Sequence, residues 1–568
     1  MSPTSTPLVL GPLLRFVGRH EASVWVETRD AARVTLALAG REWSAPTFRV
    51  EGHHYALVTA TDLEPGATHE YTVRIDDELV WPLPDSPFPP SSVTTAAPAR
   101  RTTLAFGSCR TSVPHDAEHH ASHGVDALRT FALALAAGEA ERPGVLALLG
   151  DQVYADETSP QMRDFIASRR DLEEPPGEEI KDYAEYAHLY RLAWSEPAIR
   201  WVLSTVPSAM IFDDHDIRDD WNTSWSWHRE INRTPWWHER LVAGLSSYWV
   251  YQHVGNLAPE ELAQDPVWQL LTPEEGEEVD LTDALRRLAE EVDHDPETYR
   301  WSYTRQVGES RLVVLDSRAA RVLEPDRRSM LDRGELAWLA ENLTGDVEHL
   351  FIATSVPFLL PPGLHDLEAI SESFAGPGRH RLLRRGTEAL RQLVDLEHWA
   401  AFQSGFDDVF ELVLRVSRGE RGPAPATITF LSGDVHHSYV AEVGGEHGSS
   451  RIIQAVCSPI RNPMPPALRS LMSLLAARLV APMAWLRRRT KGVPALVRPW
   501  SISHGPWFEN NLALAQVEPD SLRLSWLTGD VRDRDHDHPR LRRVALVELD
   551  AAVESGGTPA RPSGGKPQ

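Results

Sequence analysis

VLALLGDQVYAD, residues 145–156, is the stretch that decides the fold. Its five leading apolar residues are too few for an ordinary helix. They read as a strand buried on both faces, which ends in Gly150 and delivers Asp151 to the loop beyond. The pattern recurs on either side, in TLAFGSCR (103–110), AMIFDDHDIRDDWN (209–222), RLVVLDSR (311–318), HLFIATS (349–355), TITFLSGDVHHS (427–438) and RIIQAVCSP (451–459). Helical periodicity occupies the intervals, at Val125 to Ala140, Asp182 to Trp194, Gly334 to Leu343 and much of Arg381 to Ser417. Strands alternating with helices predict a layered α/β body, a β-sheet core flanked by helices. In such sheets ligands sit beyond the carboxyl ends of the strands, where the polar clusters that follow these apolar runs fall.

Before this body, period-two segments such as SVWVET, RVTLAL, HYALVTATDL and HEYTVRIDD, broken by turn residues, predict an all-β sandwich over residues 1–98. The Pro- and Ser-rich run 81–100 reads as the linker. The α/β domain is expected over 99–553, with a disordered tail at 554–568. The acidic run from Glu260 to Asp295 reads as a solvated helical insertion. Leu471 to Leu486 is apolar but interrupted by Arg478 and Pro482 and shorter than the roughly 20 residues of a span, which predicts a lid or a membrane-surface helix.

A net charge of −25 argues against a nucleic-acid duplex as partner, because duplex affinity comes from Lys and Arg neutralising phosphates. It leaves room for an anionic substrate whose charge is met by bound cations. Two cysteines, Cys109 and Cys457, make no disulfide framework, and the amino terminus carries no recognisable export signal, so a cytoplasmic protein is expected.

The strand ends carry a mixture suited to holding cations. Asp151, placed after a buried strand and a glycine, can turn both oxygens into one pocket, although a turn or helix cap has the same local look. Asp434 and His436, two apart, would face one ion if the extended conformation continues, and His437 would then turn away. Asp213, Asp214, His215, Asp216, Asp219 and Asp220 crowd one strand end, where carboxylates repel without cations or arginine nearby; Arg218 offsets only part of that. Cys109 is a buried small hydrophobe or a soft ligand. Arg110 and Arg218 are candidate phosphate contacts or partners of the carboxylates. The tryptophans 221, 225, 227, 236 and 237 form either a cleft wall or core.

In order along the chain, FGSCR, GDQVYAD, FDDHDIRDDWN, LDSRAAR, ML…ELAWL, SGDVHHS and CSPIRNP resemble the PhoD-like alkaline phosphatase/phosphodiesterase family, within the calcineurin-like metallophosphoesterases. The resemblance implies a phosphoester hydrolase with an iron(III) site at Cys109, Asp151 and Tyr154, with Asp434 nearby, and with calcium as the iron's partner. It places Asp214 and His215 where the superfamily has the Asn-His pair of GNHE, Asp214 as a metal ligand and His215 as the catalytic histidine. His436 matches the last histidine of GHxH. Two departures stand out: Ser355 occupies the region of the superfamily's separate histidine, and Asp219 and Asp220 stand where relatives often have asparagine.

The expected chemistry is in-line attack on phosphorus by a metal-bound hydroxide, with Asp151 and His215 as the catalytic pair. The substrate would be a nucleotide, lipid headgroup or cell-wall phosphodiester. A non-catalytic, metal-retaining binding or regulatory protein is the alternative. A cysteine nucleophile is disfavoured, because GSCR lacks a phosphate-cradling loop.

Overall fold

The computed structural model describes residues 6–97, 101–271, 277–324, 327–375, 397–464, 469, 480–490, 493, 496–519 and 521–550. The tail at 554–568, most of the 471–486 segment and residues 381–396 lie outside them. Among the described residues no helix is long and apolar enough to cross a membrane.

The amino-terminal strands are β1 (Leu8–Val17), β2 (Ala22–Thr28), β3 (Arg33–Leu38), β4 (Arg41–Pro46), β5 (Phe48–Val50), β6 (His53–Ala60), β7 (Thr68–Ile75), β8 (Glu78–Trp81) and β9 (Ser92–Thr94). They make two sheets, β1-β2-β6-β5 and β4-β3-β7-β8, with β9 on β7. Alternate residues such as Val24, Val26, Leu36, Val58 and Val73 fill the core between them, as period-two patterning requires. The Pro- and Ser-rich run is thus not all linker, since it contributes β9.

The α/β body holds two larger sheets. The first orders β12 (Ser208–Ile211), β11 (Val145–Leu149) and β10 (Thr102–Gly107), all parallel, then β21 (Leu512–Glu518), β22 (Ser521–Asp530) and β23 (Arg540–Asp550). The second orders β14 (Tyr303–Val307), β15 (Ser310–Leu315), β16 (His349–Thr354), β17 (Thr427–Ser432), β19 (Arg451–Val456), β18 (Ser438–Val443) and β20 (Trp500–Trp507). Strands β15, β16, β17 and β19 run parallel. Leu312, Val314, Phe351 and Ala353 share a core with β10 and β11, whereas Val313, Leu315, Leu350 and Ile352 pack on the helix Gln403–Ser417. Both faces are therefore buried, which is why these strands read as continuous apolar runs.

One expectation holds in part. The acidic run is not merely solvated: β13 (Val279–Asp280) pairs in parallel with β5, extending the amino-terminal sheet, and Arg49 meets Asp280 at 2.7 Å. In the helix Thr282–His294 that follows, Leu285, Leu288, Ala289 and Val292 are buried at helical spacing, and Arg286 bridges Glu51 at 2.7 Å and Glu239 at 2.9 Å. The amino-terminal sheets also send the fully buried Arg15 into the body, where its Nη1 donates to Ser208 Oγ at 3.0 Å and its Nη2 donates to Asn256 Oδ1 at 3.1 Å and to the Gln252 carbonyl.

Candidate active site

The carboxyl ends of β10, β11 and β12 from one sheet and of β15, β16 and β17 from the other converge. Hydrogen bonds stitch them: the Cys109 N–H to the Gly150 carbonyl (3.3 Å), the Asp434 N–H to Ser108 Oγ (3.1 Å), the Gly433 N–H to the Ser355 carbonyl (2.9 Å), and Ser317 Oγ to Ser355 Oγ (2.8 Å). This seam is tight. Gly150 has φ +103°, and a Cβ there would stand 2.7 Å from Asp213 Cβ. We expect Gly150→Ala to cost about 1–3 kcal/mol of stability, seen as a lower melting temperature together with reduced activity.

Four proposed site residues leave their strands in the left-handed backbone region: Cys109 (φ 56°), Asp151 (47°), Asp434 (65°) and His436 (50°). That conformation is costly for non-glycine residues and clusters at functional sites. It also corrects the alternation argument: β17 ends at Ser432 and the chain turns sharply, so Asp434 and His436 are not successive same-face residues of a strand. His437 packs on Tyr439 and bonds the Val435 carbonyl.

Ligand atoms of Asp151, Asp213, Asp214 and Asp434 lie within 4.8 Å of one another, and those of Asp151, Asp214 and His215 do likewise. Asp213 was singled out by the sequence only as one of a crowd. Cys109 and His436 border these groups, and neither belongs to them. The Cys109 Sγ is 3.1 Å from Ser108 Oγ and 3.4 Å from Ser458 Oγ, and the Tyr154 hydroxyl is 3.5 Å from Asp151 Oδ2.

The electrostatics suit the binding of cations. Burial pushes the Asp151 carboxyl well above the carboxylate range; His215 pulls it down, while Asp213, Asp216 and Asp434 push it further up. Burial raises Asp214 and Asp213 too, each against the pull of Arg318. Burial, with Asp151 and Asp434, raises the Cys109 thiol. Burial lowers His436 to about 4. Asp151 Oδ1 and Asp213 Oδ2 are buried without a hydrogen-bond partner among the described residues. Orphaned carboxylate oxygens this close together fit divalent or trivalent ions, which would supply the missing positive charge.

Two supports were not visible in the sequence. Asp216 is turned away from the cluster: its Oδ2 accepts the N–H groups of Asp151 (3.0 Å) and Asp213 (2.9 Å), and its Oδ1 accepts Gln252 Nε2 (3.1 Å), so it ties two strand ends together. Arg318, fully buried, contacts Asp213, lies 3.2 Å from Asp214 Oδ1, and binds Glu397 through two nitrogens. Arg321 and Thr223 complete the shell around Glu397.

His215 is oriented by Asp156, its Nδ1 2.9 Å from Asp156 Oδ1. Burial opposes charge on the ring, but Asp156, Asp214 and Asp151 outweigh it and raise the imidazole well above its ordinary value. Arg110 is buried and held by Asp126 at 2.9 Å, and Arg218 is held by Glu179 at 3.2 Å. Trp221, Trp227 and Trp237 are core and Trp236 carries Arg218 against its ring, leaving Trp225 exposed; core packing is the main use of this cluster. A cleft of about 560 Å³ opens beside the site, lined by Arg110, Gln152, Tyr154, Asp156, His119 and Asn462, among others.

The profile of the PhoD-like phosphatase family matches residues 129–470. The chain belongs to that family. A PhoD-like phosphatase is metal-dependent, and membership supports phosphoric ester hydrolysis. Residues 5–93 match a second profile, described as a domain of unknown function (DUF7800). The solved structure titled "Structure of PhoD" aligns over 97% of this chain and 92% of its own, with TM-score 0.61 and 14% identity, which speaks for the fold. A type III pullulan hydrolase from Thermococcus kodakarensis aligns with TM-score 0.12 and 10% identity and bears on nothing here. No curated protein matches the chain.

Proposed function

We propose that the chain hydrolyses phosphodiesters, and more slowly monoesters, at the seam between the two sheets. The observation that carries the reading is the convergence of four carboxylates, the buried Asp151, Asp213 and Asp214 and the partly buried Asp434, beside a histidine aimed by Asp156. Asp151, Asp214 and Asp434 would hold the ions, with Cys109 and Tyr154 favouring iron(III) on their side and His436 adding a nitrogen; calcium is the proposed second ion. When bound, such ions neutralise phosphoryl oxygens and make water acidic enough to act near neutral pH.

The residues themselves do the rest. Asp156 fixes the His215 ring, so that the nitrogen opposite the Asp156 contact serves the leaving alcohol oxygen and supplies its proton. Asp216 holds the Asp151 and Asp213 backbones in register, and Arg318 keeps Asp213 and Asp214 from swinging apart by mutual repulsion. The cleft lined by Gln152, Tyr154 and Asp156 is the proposed seat of the alcohol portion, which would be a nucleotide, lipid headgroup or cell-wall polyol. The test is elemental analysis of the purified protein beside hydrolysis of bis(p-nitrophenyl) phosphate and p-nitrophenyl phosphate. Iron with calcium, and faster turnover of the diester, is the expected result; a protein free of both metals, or inert to both esters, refutes the proposal.

A further inference from the structure

Asp434 is the least buried member of the carboxylate group. Its backbone is left-handed, it follows the last residue of β17 by only two positions, and three carboxylates face it across the site. A support lies on its other side. His398 Nε2 stands 3.2 Å from Asp434 Oδ2, and His398 Nδ1 lies 2.8 Å from Glu368 Oε1. Both supporting side chains are buried, His398 7% exposed and Glu368 1%. Glu368 projects from the helix Pro362–Ala375, and His398 precedes the short helical turn Trp399–Ala401, whose Ala401 N–H returns to the His398 carbonyl at 2.9 Å.

The placement of His398 is fixed from the neighbouring residue as well. Glu397 binds Arg318, Arg321 and Thr223, so two consecutive residues reach the same site, one meeting the arginine that serves Asp213 and Asp214, the other meeting Asp434. With Nδ1 bonded to Glu368, the imidazole cannot rotate, and its buried Nε2 stands next to the Asp434 carboxylate. A carboxylate, a histidine and a ligand carboxylate in series is the arrangement by which an outer layer of residues fixes an inner one.

We infer that Glu368 and His398 are positioning residues that hold the Asp434 carboxylate in the orientation facing Asp151, Asp213 and Asp214. The inference rests on the reading of that group as a cation site. His398 acts through Asp434: it removes the freedom of the carboxylate to turn out of the cluster when the other carboxylates repel it, so the site is set before an ion arrives.

The experiment compares the full-length unsubstituted protein with Glu368→Gln and His398→Ala, each stripped with chelator and then titrated calorimetrically with Ca²⁺ alone and, separately, with Mn²⁺ alone. The melting temperature of each stripped protein is recorded alongside. Both substitutions are expected to weaken ion binding about 10- to 100-fold, and Glu368→Gln, which keeps shape and volume, is expected to do so with the melting temperature of the stripped protein unchanged. Unchanged affinity in Glu368→Gln overturns the inference, as does a lowered melting temperature with unchanged affinity, the signature of a merely structural pair. If His398→Ala does not fold, Glu368→Gln decides alone. Failure of the unsubstituted protein to bind either ion overturns the cation site itself, and the inference with it, and is told apart by its appearance before any substitution is made.

Discussion

Asp151→Asn should abolish most hydrolysis of bis(p-nitrophenyl) phosphate, a fall of at least about 100-fold, while leaving the chelator-treated protein as stable as before or slightly more so. The two halves of this expectation come from one fact. Burial and three neighbouring carboxylates push the Asp151 proton affinity far up, so the metal-free fold favours a neutral side chain there, which asparagine imitates. The sign follows: a carboxyl group whose folded-state pKa is raised destabilises the fold when it must ionise, above its unfolded pKa, and asparagine removes that burden. Ion binding needs the opposite, a negative charge, which asparagine cannot supply. Equal turnover by the two proteins would remove Asp151 from the chemistry, and loss of activity accompanied by a collapse in melting temperature would reduce it to a structural role.

Arg318→Met should destabilise the stripped protein by about 3–5 kcal/mol, the range for removing one partner of a buried charge network. Arg318 is wholly buried and faces Asp213, Asp214 and Glu397. Methionine fills much of the volume but leaves Asp213 and Asp214 without this cation and Glu397 with Arg321 as its remaining cationic partner among the described residues. Adding Glu397→Gln should recover part of the loss, because one of the carboxyl groups that relies on Arg318 is then neutral: burial raises the Glu397 carboxyl, but Arg318 and Arg321 prevail and hold it far below the usual carboxylate range. Thermal melts of the single and double variants check this, and a single variant as stable as the unsubstituted protein would contradict it.

Much of the site could be read from the chain because it is written at strand ends. A buried run followed by Gly150 and Asp151, or by Gly433 and Asp434, announces both the strand and the residue it delivers. The supports could not be read the same way. Glu368, Glu397 and His398 lie in segments with no ligand-type spacing, and what they touch is decided by how the helix Pro362–Ala375 and the turn at Trp399–Ala401 pack on the sheet. A lone histidine in LEHWAAF gives no local sign of this. Arg318 sits in a quoted motif, yet its role depends on a carboxylate almost eighty positions away. The acidic run is a different case, because the signal was present: Leu285, Leu288, Ala289 and Val292 follow the i, i+3, i+4, i+7 spacing of a helix with one apolar face, masked by the charge around it.

The hydrogen bonds of Arg15 have a consequence for how this enzyme can be taken apart. Arg15 belongs to the first strand of the chain, it binds the Gln252 carbonyl, Gln252 holds Asp216, and Asp216 holds the backbones of Asp151 and Asp213. Three links thus join the outermost sheet to the carboxylates at the centre, while β13 lends its edge to that same sheet from the other side. The amino-terminal sandwich is therefore no interchangeable bead on a string. Any replacement would have to bring a guanidinium to the same buried point and an open strand edge for Val279–Asp280, or the geometry of the catalytic centre would have to be rebuilt around the gap.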